Sequence, residues 1–510
     1  MAYGAQSARW AFYWFWFKMI KLICFDFDIK NNEYIFKGAI DQQTGEILQF
    51  EHLVWPDENA LYYCDDLSIF YIYLIKYLTD NGFSSSKDVK CEEQGKFNFN
   101  AKSGKCSSFT IYAKNKIEFI DFKAKFGVNF GSNAENEDLI NQSIKKARSG
   151  KTLGHDAFYE FIRTVYKIPD DVLISAKTIR KYYPLIETTQ EMLEAKYNCS
   201  GYQFFKRGYY ENVYEYDQES AYPAQLLCDA PQGKPKIFER LEDVPPNYFK
   251  VITFTAMDAK LKNSRKIDFV DIYAPIQTIT LTDKLFDLFI ENYEGIFKIK
   301  QILAFKTHKK TFNKFINENI LKGKIGEKRP HIAKYNKYIA NALTGYFGRN
   351  EESLISYCEV KNGKISLKKE EKKIEPVYLP VYLFALDKSK AEFIRTLQKH
   401  LPNIIYANTD GFLTTQPISL DELNFQNSCG VGMFKQKKKY ASLFIECING
   451  YAGITEAGEI SNTIAGLNLA RKVTPEEYEH KNLIYTIKQP TATGKVRIIY
   501  VDSNGKIVRA

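Results

Sequence analysis

Two apolar runs that each reach a carboxylate constrain this chain more than any other feature. The first is NVYEYDQESAYP, which contains Asp217, and the second is IIYANTDGF, which contains Asp410. A single Asp at the end of a strand is usually a turn or capping residue. Two of them, far apart in sequence with a basic segment between them, instead predict two strand ends that lie next to each other in the fold.

Paired carboxylates at neighbouring strand ends indicate phosphoryl-transfer chemistry. They can hold two Mg²⁺ ions about 3.5–4 Å apart, which clamp the attacking and leaving oxygens of a phosphoryl displacement. Mg²⁺ prefers few protein carboxylates, together with water and substrate phosphates. Asp217, Asp410 and a nucleoside triphosphate would meet that preference.

The segment HIAKYNKYIANALTGYFG predicts a helix that can meet the phosphates. Lys334, Lys337, Asn341 and Gly345 recur at spacings of three and four, so they share one face of that helix. Lysines there can act as point charges on phosphates, and Gly345 permits close approach. Taken alone, the pattern also fits an ordinary solvated basic face.

Length and composition fit a folded protein of two or three domains. Of its 510 residues, 45% are hydrophobic and 15% aromatic, so disorder is not expected to dominate. Strand and helix patterns alternate up to about residue 185, which predicts an α/β domain. The net charge of +10 permits a polyanionic partner without requiring one.

Cysteine usage and the N-terminus bear on the compartment. Nine cysteines without a close C-x-x-C pair, and only six histidines, argue against a structural zinc site and favour reduced thiols in the cytoplasm. The aromatic run WAFYWFWFKMIKLICF is interrupted by Lys18 and Lys21 and is too short to span a membrane. We therefore expect no membrane association, and Met19 is an alternative start of the chain.

Three stretches, DQESAYP, KYIANALTG and YANTDG, follow one another as three motifs of a known enzyme family do. They resemble motifs A, B and C of family B DNA polymerases, whose patterns are D-x-x-S-L-Y-P, K-x-x-x-N-S-x-Y-G and Y-x-D-T-D-S. The resemblance is strongest to the protein-primed subgroup of small phages, linear plasmids and adenoviruses. It covers nearly the whole chain, and the combination is far more specific than any one motif.

The resemblance implies an α/β and α+β multidomain fold. Its parts would be an N-terminal RNase H-like domain of the 3′-5′ exonuclease type and a right-hand polymerase with palm, fingers and thumb. The implied boundaries are an N-terminal extension at 1–20, an exonuclease-like domain at 21–185 and a polymerase domain at 186–510. Within the latter we expect palm at 186–235 and 381–440, fingers at 306–349, thumb at 441–510, and the two insertions of protein-primed enzymes at 236–305 and 350–380.

Carried over residue by residue, the resemblance implies roles in the polymerase site. Asp217 and Asp410 would be the catalytic metal ligands, with Mg²⁺ as cofactor and Mn²⁺ as a substitute. Tyr222 would be the steric gate that excludes a ribose 2′-hydroxyl. The other nucleotide-binding candidates are Gln218, Lys322, Lys324, Lys337, Asn341 and Thr344.

The N-terminal domain resembles a proofreading exonuclease, which also uses carboxylates and two metals. FDFD places Asp26 and Asp28 where the family has D-x-E, and Asp156 in GHDAFYEF matches the last exonuclease carboxylate, so these three are the expected metal ligands. The middle motif is altered. YYCDDLSIFYIY offers Asp65 and Asp66 early but has Phe or Ile where the carboxylate belongs, which leaves proofreading open.

Two further segments are expected to contact DNA. SGYQF stands where the subgroup has Y-x-G-G-F, which is thought to coordinate the two domains around the template. FKQKKKY is a basic run with flanking aromatics that suits a duplex backbone, and NGY stands where the family has K-x-Y. The predicted DNA-binding residues are Ser200, Gly201, Lys435, Lys437, Lys438, Lys439 and Tyr451.

The chain departs from the family patterns at several positions. Asn408 replaces the first Asp of D-T-D, Asn449 replaces the Lys of K-x-Y, and Ala342 and Thr344 replace the Ser and Tyr of motif B. Because Asn408 and Asp410 point to the same side at period two, the first change removes a negative charge near the metals. We expect effects on fidelity and efficiency.

The expected function is protein-primed, DNA-directed DNA synthesis that replicates a linear viral or plasmid genome. Its partners would be primer-template DNA, dNTPs and a terminal protein that supplies the first hydroxyl. The enzyme would be a monomer in the cytoplasm of its host cell. One alternative is a catalytically silent relative that binds DNA or a replication partner, and another is a nuclease only, which the altered middle motif opposes.

Overall fold

The computed structural model describes most of the chain. The described ranges are 19–30, 33–87, 92–102, 105–146, 152–168, 179–180, 183–184, 186, 188–263, 266–308, 311–349, 352–361, 364–373, 377–424, 431–464, 469, 471–481, 483–490, 496–502 and 507–509. Nearly all of the predicted extension at 1–20 therefore lies outside them, as do the side chains of Asp26 and Asp28. Within these ranges, no helix is long and apolar enough to cross a membrane.

A mixed sheet forms the N-terminal part of the molecule. Its first strands are β1 (Met19–Lys30), β2 (Glu33–Asp41), β3 (Ile47–Leu48), β4 (Ala60–Cys64), β5 (Ser84–Ser85), β6 (Lys96–Lys102), β7 (Lys105–Tyr112) and β8 (Lys116–Asp121). β1 pairs in parallel with β4, which pairs in parallel with β8. β4 is buried along its whole length, as expected for a parallel strand covered on both faces.

Short helices follow the strands of this sheet. They are α1 (Phe50–Val54), α2 (Leu67–Asp80), α3 (Phe122–Phe126), α4 (Asn133–Lys145) and α5 (Leu153–Tyr166). Capping explains three of their starts, because Asp66, Asp121 and Thr152 each accept a hydrogen bond from a backbone N–H in the first turn. The sequence thus sets where α2, α3 and α5 begin.

A second sheet, seven-stranded in the described part of the chain, carries the two motif carboxylates. Its strands are β9 (Gln203–Phe205), β10 (Gly208–Gln218), β18 (Ile404–Asn408), β19 (Gly411–Thr414), β20 (Phe434–Cys447), β21 (Gly450–Thr455) and β22 (Ile460–Ile464), in the order β22-β21-β20-β10-β19-β18-β9. α6 (Gln190–Asn198) precedes this central sheet, and α7 (Ala221–Gln225) follows β10. The strand ends with Asp217 and Asp410 are thus adjacent.

The chain after α7 forms a separate sheet. It contains β11 (Ala230–Pro231), β12 (Lys236–Phe238), β13 (Tyr248–Leu261), β14 (Ile276–Thr282) and β15 (Tyr293–His308), with α8 (Asp283–Asn292) between the last two. β13 pairs antiparallel with both β14 and β15. This sheet covers the predicted first insertion and extends slightly beyond it at both ends.

Helices connect this sheet to the rest of the central sheet. α9 (Asn313–Ile316) continues as a π-helix over Asn317–Ile325. α10 (Pro330–Phe347) begins with a proline, which is favourable because the N–H at the first position of a helix makes no hydrogen bond within the helix. α11 (Leu379–Lys399) follows the hairpin of β16 (Glu352–Lys361) and β17 (Lys364–Lys373). Asp387 of α11 accepts the N–H groups of Lys284 and Leu285 at 3.0 and 2.9 Å, which ties α11 to α8.

The predicted thumb at 441–510 contributes to two sheets. β21 and β22 extend the central sheet, which α12 (Leu420–Asn424) and α13 (Pro475–Glu479) flank. β23 (Ile484–Pro490), β24 (Val496–Asp502) and β25 (Ile507–Arg509) instead join the N-terminal sheet, because β24 pairs with β2. The C-terminal chain therefore returns to the domain that the N-terminal chain begins.

An aromatic core joins α5 of the N-terminal domain to α10. Phe158 and Phe161 lie with ring centroids 5.5 and 5.9 Å from that of Phe347, and Phe161 stacks on Phe312. All four side chains are at most 3% exposed. Each such burial contributes about 1.5–3 kcal/mol, so these contacts hold α10 against the N-terminal domain.

Candidate active site

Asp217 and Asp410 meet where β10 and the β18–β19 hairpin end. Asp217 lies opposite Gly411 in the β10–β19 pairing, and the N–H of Gln218 donates to the carbonyl oxygen of Asp410 at 2.8 Å. Gly411 leaves room for this approach, because a Cβ built there would lie 3.2 Å from Asp217 Oδ1. The structure thus brings the two predicted strand ends together.

The turn that carries Asp410 has a constrained backbone. Thr409 has a φ of 65°, a left-handed conformation that is unusual for a β-branched residue. Its N–H donates to the carbonyl oxygen of Tyr202 at 2.9 Å, and the N–H of Asp410 donates to the carbonyl oxygen of Asn408 at 2.8 Å. Such strain persists only where surrounding contacts hold it, and it clusters at functional sites.

The two carboxylates form a site of concentrated negative charge. Burial, and then repulsion from Asp217, raise the pKa of Asp410 to about 6. Lys437 Nζ lies 2.9 Å from Asp217 Oδ1 and, with Lys337, offsets part of that repulsion. Oxygen donors that repel each other in this way fit a divalent cation. Among the described residues no three His, Cys, Asp or Glu side chains form a metal cluster, so water and substrate would complete the coordination.

A cleft of about 330 Å³ opens beside these carboxylates. α10 forms one wall, and the segment after β10 forms another. Of the predicted nucleotide-binding residues, Gln218, Tyr222, Lys337, Asn341 and Thr344 line it, whereas Lys322 and Lys324 do not. The lining residues are Asp217, Gln218, Ser220, Ala221, Tyr222, Lys337, Asn341, Thr344, Gly345, Tyr382, Leu386 and Asp410.

Three buried polar atoms of the cleft residues have no hydrogen-bond partner among the residues that the structure describes. They are Ser220 Oγ, Asn341 Oδ1 and Thr344 Oγ1. Ser220 and Thr344 are only 4% and 2% exposed. Buried polar atoms nearly always have a partner, so three on one cleft indicate that a polar ligand completes the site. Ser220 was not among the predicted residues.

Tyr222 lines the cleft at the start of α7. Burial, and then the charge of Asp410, raise the pKa of its hydroxyl above the usual value. The hydroxyl therefore stays protonated at neutral pH. Tyr222, Asp217 and Asp410 line the same cleft.

Glu219 links the π-helical segment to the central sheet. Its carboxylate pairs with both Lys324 and Lys435 of β20. Burial alone would raise the pKa of Glu219, but the hydrogen bonds from the two lysines outweigh it and lower that pKa. Sequence reasoning missed Glu219, although it follows Asp217 by two positions. Lys324 is thereby held near Lys337. Burial is the main cause that lowers the pKa of Lys324, and the charge of Lys337 lowers it further. Lys322, by contrast, is exposed.

The lysines of the basic run on β20 contact acidic or polar groups of the protein itself. Lys435 pairs with Glu219, Lys437 with Asp217, and Lys439 with Glu456, while Lys438 donates to Ser461 Oγ. Lys435 and Lys437 remain 62% and 49% exposed. The strand therefore presents a basic surface directly beside the carboxylates, which is where a nucleic acid backbone would be needed.

The other predicted DNA-binding residues lie on both sides of the Asp410 turn. A Cβ on Gly201 would lie 2.7 Å from Thr409 Oγ1, so this position requires Gly, and Ser200 beside it is exposed. Tyr451 is only 7% exposed, and its ring lies edge-on to Tyr406 at 5.4 Å. Tyr451 therefore packs in the sheet, which leaves little of its side chain for DNA.

The exonuclease candidates lie near the strand ends of the N-terminal sheet. Asp66 accepts the N–H of Ser68 at 2.9 Å as the cap of α2. Asp121, which sequence reasoning missed, ends β8, and its pKa is raised by burial and by the charges of Asp66 and Asp65. Asp65 accepts the N–H of Phe25 on β1 at 3.2 Å, so these carboxylates lie close to the strand that carries Asp26 and Asp28.

Asp156 lies in a different environment. It is 1% exposed, and its Oδ2 is 2.5 Å from Nζ of Lys125, which is equally buried. Lys125 belongs to α3, directly after the strand that ends at Asp121. The charge of Asp156 is therefore matched within the protein interior, a role that the sequence did not indicate.

The family described as DNA polymerase type B, organellar and viral, matches residues 152–421, which is more than half of the chain. The chain belongs to this family. The resemblance inferred from motifs A, B and C is thereby confirmed.

Individual relatives extend the comparison. The chain is 26% identical over 217 residues to the DNA polymerase of Streptococcus phage Cp-1, and this match covers 38% of the chain and 38% of that relative. It is also similar to the phi29 DNA polymerase in complex with primer-template DNA and incoming nucleotides, with a TM-score of 0.76 at 17% identity over 94% of this chain and 99% of that one. An orthorhombic crystal form of the phi29 enzyme gives 0.72 at 16% identity, over 94% and 98% of the two chains. This likeness confirms the predicted multidomain fold class.

We expect Asp410→Asn to stabilise the protein increasingly between about pH 4 and pH 6. The folded-state pKa of Asp410 is raised from 3.8 to about 6, so the unfolded chain releases this proton first and the parent loses stability as the pH rises. The variant escapes that loss and should be more stable by about 3 kcal/mol well above pH 6, with little gain below pH 4. Thermal unfolding without divalent cations measures the difference. The exposed Asp421→Asn serves as control, and a pH-independent difference would contradict this environment for Asp410.

Asp156→Ala should destabilise the protein by about 3–5 kcal/mol, because it removes the carboxylate that pairs with the buried ammonium of Lys125. The double variant Lys125→Met with Asp156→Leu should recover most of that loss. Urea unfolding of the three proteins measures it. Parent-like stability of Asp156→Ala would show that this carboxylate is free for another role.

Proposed function

We propose that this protein is a protein-primed, DNA-directed DNA polymerase that replicates a linear viral or plasmid genome. The observation that carries the proposal is the cleft, in which Asp217 and Asp410 face Lys337 and Asn341 of α10. Its buried polar atoms without partners support a polar ligand. The type B DNA polymerase family of the chain supports the same interpretation, as does its likeness to a polymerase complexed with primer-template DNA and nucleotides.

In the proposed reaction, a primer 3′-hydroxyl, or first a hydroxyl of the terminal protein, attacks the α-phosphate of a dNTP and pyrophosphate leaves. Asp217 and Asp410 would hold the divalent cations, while Lys337, which lines the cleft, would neutralise the triphosphate. Bound Mg²⁺, or Mn²⁺ in its place, supplies charge stabilisation at the phosphates. The protein contributes positioning and preorganised charge, which dominate such catalysis.

The partners follow from the parts around the cleft. The first-insertion region has four large apolar side chains that are each at least 64% exposed, namely Ile237, Tyr273, Ile276 and Ile296. We assign it to the terminal protein. The β16–β17 hairpin reaches the N-terminal domain, where Ser356 Oγ donates to the carbonyl oxygen of Ala101 at 2.7 Å, and we assign it to the DNA path. The enzyme would act as a monomer in the host cytoplasm.

A 3′-5′ exonuclease activity is a finer part of this proposal. Asp65, Asp66 and Asp121 lie close to the strand of Asp26 and Asp28, and a metal site at this sheet edge would need the latter two, because the described carboxylates form no metal cluster by themselves. The pairing of Asp156 with Lys125 means that Asp156 would have to exchange this partner to bind a metal.

Primer extension by the purified protein with Mg²⁺ or Mn²⁺ tests the polymerase assignment. We expect Asp410→Ala to lower the extension rate at least about a thousandfold, because removal of a catalytic charge group has effects of this size. Asp421→Ala, an exposed carboxylate on α12, should match the parent. No extension by the parent would favour the catalytically silent alternative, and equal extension by the parent and Asp410→Ala would refute the assignment.

Discrimination against ribonucleotides tests the role of Tyr222. Tyr222→Ala should admit ribonucleotides more readily by about tenfold or more, since it removes the ring that would pack under the sugar. Tyr222→Phe keeps the ring and should discriminate as the parent does. The ratio of kcat/KM for dNTP and rNTP measures the effect. Unchanged discrimination in Tyr222→Ala would contradict a steric gate.

A further inference from the structure

A side-chain network holds the Asp410 turn from outside the cleft. Asn408 Nδ2 donates to Asn449 Oδ1 at 2.6 Å. Asn408 Oδ1 accepts from Gln203 Nε2 at 3.3 Å and from Thr409 Oγ1 at 3.1 Å. The segments of Gln203, Asn408 and Asn449 are distant in sequence, and they meet at the side-chain amide of Asn408, two positions before Asp410.

Asn449 is well placed to hold this turn. It occupies the β20–β21 connection with a φ of 55°, a conformation that Asn adopts more readily than most residues. Its own N–H donates to Tyr406 Oη at 3.1 Å, and Tyr406 precedes Asn408 by two positions on β18. The β20–β21 turn is thus hydrogen-bonded to two residues at the end of β18, Asn408 and Tyr406.

Asn408 and Asn449 are also two of the positions where this chain departs from the family patterns, which have Asp and Lys there. In sequence they look like two independent losses. In the structure they contact each other, because the Asn408 amide nitrogen donates a hydrogen bond to the Asn449 amide oxygen. The two departures offset each other in charge, because together they remove one charge of each sign, and the two amides are joined by a hydrogen bond.

We propose that Asn408 and Asn449 act as one uncharged positioning pair that aligns the Asp410 carboxylate for nucleotide addition. This inference rests on the proposed polymerase function. The left-handed Thr409 must be held by its surroundings, and the pair anchors the residue directly before it. Asn408 and Asn449 are thus positioning residues, which act through the turn on Asp410.

A double-mutant cycle tests the pair with Asn408→Asp, Asn449→Asp and the double variant. Each single variant keeps a hydrogen bond, because the remaining Asn can turn its Nδ2 towards the new carboxylate. The double variant faces two carboxylates with no donor between them. We expect each single variant to add nucleotides within about threefold of the parent, and the double to fall about tenfold or more below the product of the single effects.

The readouts separate positioning from general damage. They are the single-turnover rate of the first nucleotide addition, the Mg²⁺ concentration at half-maximal rate, the primer-template Kd without divalent cations, and the thermal unfolding temperature. The control is Asn408→Asp with Asn141→Asp, which makes the same change at an exposed residue of α4. A positioning pair predicts a lower rate and a higher Mg²⁺ requirement in the Asn408→Asp/Asn449→Asp variant, with a primer-template Kd close to that of the control.

The outcomes distinguish this inference from the proposed function. Additive rate effects in an active parent, or an equal loss in the control, would overturn the inference and leave the polymerase assignment standing. A double variant whose losses in rate, Kd and unfolding temperature all scale together would show a merely structural contact. If the parent does not extend primers, the proposed function fails. In that case the unfolding temperatures still test the pair: if the change in the double variant equals the sum of the changes in the two single variants, the two residues are not coupled.

Discussion

The register of the central sheet is the constraint on which the rest of the site depends. The N–H of Gln218 donates to the carbonyl oxygen of Asp410, and Asp217 lies opposite Gly411. Because side chains alternate along a strand, a slip of one residue would move one carboxylate to the opposite face and separate the pair. The turn with left-handed Thr409 helps to fix that register. Gly201 and Gly411 allow the close approach of the strands there, because a Cβ on either glycine would crowd Thr409 or Asp217.

The second wall of the cleft is positioned by contacts far from the chemistry. Phe347 at the end of α10 packs among Phe158 and Phe161 of the N-terminal domain. Lys337 and Asn341 lie on the same helix and inherit its position. The N-terminal domain therefore supports the polymerase cleft physically, whatever chemistry its own carboxylates perform. This dependence explains why the two domains share one aromatic core.

Local patterns in the sequence predict the central elements of the site. The apolar runs that reach Asp217 and Asp410, and the spacing of Lys337 and Asn341, correspond to strand ends and a helix face that line one cleft. Contacts between distant residues have no such local signal. The pairing of Lys125 with Asp156, the bridging by Glu219, and the return of β24 to β2 depend on tertiary packing alone.

Charge balance connects these features. Each described carboxylate of the motif A segment has a lysine partner, with Lys437 on Asp217 and with Lys324 and Lys435 on Glu219. Lys437 is 49% exposed, and an ion pair of this kind is worth about 1 kcal/mol or less. Under the proposed function, a divalent cation would therefore displace Lys437 from Asp217 at small cost and leave its ammonium beside the cleft for an anionic substrate. An aspartate at position 408 would add negative charge next to this balanced set, whereas the neutral Asn408–Asn449 pair leaves the balance unchanged.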